Sequence, residues 1–245
     1  SAKYNLPKAP KYYIMKWLSD YIRKYGIDGY RVDTVKHTEE DVWKKFAEIC
    51  QDAFAEYKAN HPTKILDQNN FYLIGEVYNY TINDAQEFPF PDKKVNYFEN
   101  GFDALINFDL RSTQKETSQQ VFNRYNDILQ NEMKGKSVLN YITSHDDGSP
   151  FDKNRKNTWD AGTRLLLTPG ISQVYYGDES SRLLEIDGAD GDANLRSFMN
   201  WDEIENNADK KALLHHFQKL GQFRRNHPAV GAGKHTDLQN DPYIF

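Results

Sequence analysis

Short apolar runs alternate with stretches of helical spacing along the whole chain. Ile14, Trp17, Leu18, Tyr21, Ile22 and Tyr25 recur every three or four residues, and Gly26 stops that helix. A strand is predicted over Gly29–Val35. Val42, Phe46, Ile49, Ala53, Phe54 and Tyr57 mark a second helix that ends before His61-Pro62. A second strand is predicted over Phe71–Val77, followed by a long loop containing Pro89 and Pro91. Further strands are predicted over Phe102–Phe108, Ser137–Thr143 and Ile171–Tyr176. Helices are predicted near 116–132, 158–167 and Asp209–Arg225, with Pro228 beyond the last. Strands that alternate with helices build βαβ units and a parallel sheet. Parallel strands covered on both faces read as continuous apolar runs, as these do.

Composition removes several function classes. The net charge of −5 argues against non-specific nucleic-acid binding. No run of about 18 apolar residues exists, so no membrane span is expected, and no secretory leader is legible. The single Cys50 excludes an internal disulfide and any multi-cysteine metal site. It lies in the apolar pattern of the second helix, which points to core packing. A length of 245 residues suits one large domain or two small ones.

Gly29-Tyr-Arg-Val-Asp-Thr-Val-Lys-His37 interrupts an apolar strand with Arg31 and Asp33. An unpaired charge removed from water is costly. Alternation along a strand puts both side chains on one face, where they can pair. That ion pair is the structural reading; the rim of an active site is the functional one. Glu76 and His145-Asp146 stand near the carboxyl ends of two further strands, where parallel α/β folds place their chemistry. Three strands each delivering an acid to one rim favour the functional reading.

These segments, taken together, resemble the α-amylase family of glycoside hydrolases. Gly29–His37 resembles the family's strand-four motif with its nucleophilic aspartate. Gly75-Glu76-Val77 resembles the strand-five motif with the acid/base glutamate. Tyr141-Ile-Thr-Ser-His-Asp146 resembles the strand-seven motif. Pro169–Glu179 resembles the stretch around strand eight, and Asn194-Leu-Arg-Ser-Phe-Met-Asn-Trp201 the segment after it. Each motif alone is a weak signal, whereas the ordered set is a strong one. The resemblance implies a partial (β/α)8 TIM barrel, strands four to eight with their helices. No match to the strand-three motif is found. Residues 1–228 are expected to be the C-terminal part of the catalytic barrel. Residues 229–245 are expected to begin a C-terminal β-sandwich.

The resemblance implies a parent enzyme that cleaves α-1,4-glucosidic bonds in starch-like glucans with retention, which needs two carboxyl groups about 5 Å apart, while this excerpt by itself is expected to be inactive. Asp33 is the expected nucleophile, Glu76 the acid/base and Asp146 the third carboxylate. Arg31, Lys36, His37 and His145 are the expected substrate-binding residues. An α-glucan transglycosylase, an α-1,6-glucosidase and a non-catalytic sugar-binding fragment are the alternatives. No cofactor is certain. Family members often hold calcium near the barrel, partly through the backbone carbonyl at the position of His37, so calcium is an expectation for a full-length parent. The acidic loop Asp187–Asn194 lacks the spacing and closing Glu of an EF-hand. The expected partner is an α-glucan. A dimer through exposed barrel edges is also expected, and a starch-sized substrate suggests an extracellular or periplasmic parent.

Overall fold

The computed structural model describes residues 4–245. The chain divides into two compact units, one formed by Ser1–Tyr78 and Gln86–Leu105, the other by Asn79–Ala85 and Ile106–Phe245.

In the first unit, α1 (Pro10–Tyr25) opens on a proline, whose fixed φ and missing N–H suit the first helical turn. Its inner face is Met15, Ser19 and Ile22, and Gly26 closes it in a left-handed conformation. The strand β1 (Gly29–Val32) follows, then α2 (Glu40–Asn60), which buries Val42, Phe46, Ile49, Cys50, Ala53 and Phe54. The strand β2 (Tyr72–Gly75) pairs parallel to β1, with Gly29 opposite Tyr72 and Val32 opposite Gly75. A short antiparallel hairpin, β3 (Phe88–Pro89) and β4 (Lys94–Val95), occupies the segment expected to be loop. Two prolines hid it, since they remove ladder donors; a two-residue edge pairing tolerates them. The first half of β5 (Ala104–Asn107) then pairs parallel to β2, giving the order β1-β2-β5 in this unit.

In the second unit the order is β5-β6-β7, with β6 at Ser137–Asn140 and β7 at Ile171–Ser172. Leu139 and Asn140 of β6 stand opposite Ile171 and Ser172. Between β5 and β6 lies α3 (Ser118–Gln130). Thr117 and Gln120 exchange capping bonds at its start, a pattern that satisfies two orphan donors. Between β6 and β7 lies α4 (Thr158–Leu167). It packs with α6 (Ala208–Asn226) through Leu166, Leu213 and Phe217. The helices α5 (Trp201–Asn206) and α7 (Ala229–Ala232) and the hairpin of β8 (Gln239–Asn240) with β9 (Tyr243–Ile244) complete the unit. Buried Asn107 donates to Tyr125 Oη at 2.9 Å and to Asn140 Oδ1 at 2.8 Å, so the polar side chains inside β5 and β6 satisfy one another.

The parallel strands with flanking helices are the expected architecture, part of a (β/α)8 barrel. The strands are shorter than expected. The first ends at Val32 rather than Val35, because Thr34 takes a left-handed φ of 49° and the chain turns into a 3-10 turn at Val35–His37. The last ends at Ser172 rather than Tyr176; Val174 and Tyr176 lie exposed.

Candidate active site

Asp33 is the first residue beyond β1. Arg31, two residues earlier, forms an ion pair with it, as alternation along the strand allows. The Asp33 side chain remains 61% exposed, so the pair leaves it open to a ligand. Glu76 is the first residue beyond β2 and is buried. The two strand ends are stitched together past their last paired residues. The Glu76 N–H donates to Val32 O at 2.8 Å, and the Val35 N–H donates to Glu76 O at 2.9 Å. The turn at Thr34 also aims its own N–H at Glu76 Oε2, 2.8 Å away. A buried carboxyl is thus met by a main-chain donor, as burial requires.

Gly75 shows why a glycine precedes Glu76. A Cβ there would lie 2.9 Å from the Phe102 ring and 3.0 Å from a Leu105 methyl. The close approach of β2 to its neighbours therefore depends on a missing side chain.

Lys36 and His37 follow on the 3-10 turn. Lys36 Nζ donates to Tyr78 O at 3.1 Å and sits 4.9 Å from the Tyr78 ring centroid, a cation–π arrangement. His37 is exposed. The first unit thus gathers Arg31, Asp33, Lys36, His37 and Glu76 around the carboxyl ends of β1 and β2.

His145 and Asp146 belong to the second unit, in an irregular segment beyond the end of β6. Their side chains are each 46% exposed, and His145 Nε2 lies 3.4 Å from Asp146 Oδ2. Asp147, the neighbouring acid, has a different fate. It is ion-paired to Arg111, accepts the Tyr141 hydroxyl at 2.8 Å, and its side chain is only 12% exposed. Burial, reinforced by Asp147, pushes the Tyr141 phenol well up from its ordinary value, so it stays a donor. Of the two adjacent aspartates, Asp146 is the one left accessible.

Sequence reasoning did not single out Thr34, Tyr78 or the Arg111–Asp147 pair. Thr34 contributes a main-chain N–H, which every residue type but proline carries, so it leaves no signal. An aromatic two residues past Glu76 was visible in the sequence and could have been flagged.

Among the described residues, no group of three or more His, Cys, Asp or Glu side chains is arranged to hold a metal ion. The acidic loop 187–194 is closed instead by Asn194. Its Oδ1 accepts the Ile186 N–H at 2.9 Å, and Asp190 accepts the Gly191 N–H at 2.8 Å. A cavity of about 680 Å³, lined by Asp28, Tyr57, Lys58, Leu66, Tyr72 and Asp103 among others, lies near the amino ends of β1 and β2, away from Asp33 and Glu76. Among the described residues no helix is long and apolar enough to cross a membrane.

The family model for the alpha amylase catalytic domain matches residues 4–233. The chain belongs to the α-amylase family. It is 36% identical over 238 residues to the periplasmic alpha-amylase of Escherichia coli (strain K12), covering 94% of this chain and 32% of that protein. It is 22% identical over 232 residues to a cyclomaltodextrinase of a Bacillus species, covering 91% of this chain and 36% of the relative. Family membership thus rests on about a third of the length of the curated relatives it matches. Among solved structures, an Anoxybacillus alpha-amylase superposes with a TM-score of 0.63 at 23% identity, over 90% of this chain and 44% of that one. The Geobacillus thermoleovorans alpha-amylase complexed with acarbose gives 0.61 at 20% identity, over 90% and 45%. These two likenesses support the fold.

Proposed function

We propose that this chain carries the reacting carboxylates of a glycoside hydrolase that cleaves α-1,4-glucosidic bonds of starch-like glucans with retention. The observation that carries the reading is the pairing of an accessible aspartate beside an arginine with a buried, main-chain-bonded glutamate, on adjacent parallel strand ends. Asp33 attacks the anomeric carbon and forms a glycosyl ester while Glu76 gives its proton to the departing glycosidic oxygen. Glu76 then takes a proton from water, which attacks the anomeric carbon, breaks its bond to the Asp33 oxygen and releases the carboxylate. Arg31 balances the charge of the Asp33 carboxylate before it attacks and as it is released. Asp146, with His145, meets sugar hydroxyls and favours the positive charge that develops on the ring. Lys36 and His37 bind the glucan past the cleavage point.

The relatives include a cyclomaltodextrin glucanotransferase, and the structural neighbours a pullulanase, so transfer and α-1,6 cleavage are the competing outcomes of the same chemistry. The periplasmic relative supports an extracytoplasmic parent. The β8–β9 hairpin supports reading the end of 229–245 as the start of a further β domain. Calcium is a family-based proposal for a full-length parent. Self-association is supported by β1, which forms one end of the strand order, and by exposed Tyr13, Ile14, Trp17, Tyr21 and Tyr25 on α1.

The test is turnover of soluble starch and maltoheptaose by the full-length protein carrying this chain, with product analysis. Asp33→Asn and Glu76→Gln are each expected to lower kcat by about three orders of magnitude or more with unchanged melting temperature. Near-normal turnover by either variant refutes the assignment. Longer oligosaccharides as the main early products would show a transferase instead.

A further inference from the structure

His145 and Asp146 lie between β6 and α4 in a segment without regular structure, and their side chains are half-exposed. Hydrogen bonds contribute to holding the segment: the Ser144 hydroxyl donates to Asp146 Oδ1 at 3.3 Å. Asp147 anchors one side of the pair through Arg111 and Tyr141. His145 itself is gripped by its main chain: Arg196 Nε donates to His145 O at 2.9 Å, across 51 residues of sequence.

Arg196 ends the 3-10 helix Gly191–Arg196, and its own backbone is fixed from both sides. The preceding carbonyl, Leu195 O, accepts Arg182 Nη2 at 3.1 Å and the Tyr175 hydroxyl at 3.0 Å. The following carbonyl, Ser197 O, accepts Arg182 Nη1 at 3.1 Å and the Tyr176 hydroxyl at 2.9 Å. Arg182 is 1% exposed and stacks 4.0 Å from the Tyr176 ring centroid. It also gives Nε and Nη2 to Tyr176 O at 3.1 and 2.9 Å. A buried guanidinium must spend its donors on good acceptors; two of its five hydrogen bonds go to the carbonyls that flank Arg196, two to Tyr176 O and one to the Ser197 hydroxyl. Arg182 is the buried centre of this mount, Tyr175 is half-buried and Tyr176 exposed, and the arm of Arg196 is exposed and reaches one atom of the site segment.

We propose that Arg196 is a positioning residue that sets the placement of His145 and Asp146, with Arg182, Tyr175 and Tyr176 as its mount. The proposal rests on the reading of Asp146 as the third carboxylate. Its consequence follows from geometry. A displacement of about 1 Å in a group that meets the reacting sugar can cost about 100-fold in rate, while binding spread over many sugar units changes little.

The experiment compares Arg196→Met, which keeps the aliphatic stem and loses the donor, with Arg196→Lys, which keeps a donor and the charge. Both are made in the full-length protein. Amide hydrogen exchange of residues 141–150 and maltoheptaose kinetics are read together, beside Asp146→Asn. Arg196→Met is expected to speed exchange in 141–150 by about tenfold or more and to lower kcat by about 10- to 100-fold with KM within about twofold. Arg196→Lys is expected to recover most of both. Unchanged exchange in Arg196→Met overturns the proposal, even if kcat falls, because Arg196 would then act on the glucan directly. Failure of Arg196→Lys to recover exchange also overturns it. If Asp146→Asn turns over like the unaltered protein, the site reading fails instead, and the exchange result still decides whether Arg196 holds the segment.

Discussion

Thr34 sits at φ 49°, a left-handed conformation that strains a β-branched residue. The strain coincides with its N–H aimed at Glu76 Oε2, so the turn after β1 is tied to the carboxyl after β2. A second left-handed position, Gly26 at φ 68°, closes α1, and there a Cβ would fall 2.3 Å from the Tyr57 ring. Gly26→Ala is therefore expected to destabilise the protein by about 2 kcal/mol or more, from the backbone penalty plus displacement of Tyr57. Urea unfolding checks this; a loss below about 0.5 kcal/mol would show that Tyr57 moves aside freely. At this scale the sequence displays residue types and spacing. Asp33, Glu76 and His145-Asp146 could be noticed as acids after apolar runs. What could not be read is which of Asp146 and Asp147 is spent in a structural ion pair, because Arg111 is distant in sequence.

The C-terminal hairpin shows how an element is held. Asp237 Oδ2 accepts Gln119 Nε2 and Asn123 Nδ2 from α3, each at 2.7 Å. Its Oδ1 accepts the Tyr243 hydroxyl at 3.1 Å and lies 3.1 Å from His235 Nε2. The Gln119 and Asn123 donors, then Tyr243 and His235, hold its carboxyl down at about 2, against an ordinary 3.8. A folded value below the unfolded one means that the ionised form favours folding. The contribution is complete above pH 3.8 and is lost as pH falls through about 2. Acid titration followed by the ring signals of Tyr243 and Phe245 should show the hairpin loosening in that window. Asp237→Asn should remove that pH dependence; an identical acid profile in the variant would contradict the assignment. Helices were legible from their period, and 158–167 matches α4 as expected. Strand ends were less legible. Apolar runs continue past the last paired residue at Val35, Val77 and Tyr176, where burial or local turns rather than sheet pairing set the environment.

On the scale of the molecule, the motifs could be ordered and assigned to a parallel α/β fold because both the pairing pattern and the apolar runs are local in sequence. The hairpin β3–β4 and the short helix α5 were not read, since neither is long enough to show a period. Apolar side chains left in water favour association at roughly 25 cal/mol per Å² buried. Concentration-dependent self-association, as a dimer or as aggregation, is therefore expected in light scattering of this 245-residue chain taken by itself. Replacing Trp17 and Tyr21 together by Lys should weaken it; a strictly monomeric unaltered protein would show that β1 and α1 do not drive contact.

The central claim is that Asp33 becomes covalently bonded to glucose during turnover. The direct measurement is peptide mass spectrometry after rapid acid quench of the full-length Glu76→Gln variant with α-maltotriosyl fluoride, whose leaving group needs no protonation. A maltotriosyl ester is expected on the peptide carrying Asp33, absent from Asp33→Asn. An adduct on a different carboxylate, or hydrolysis of the fluoride with inversion and no adduct, would contradict it.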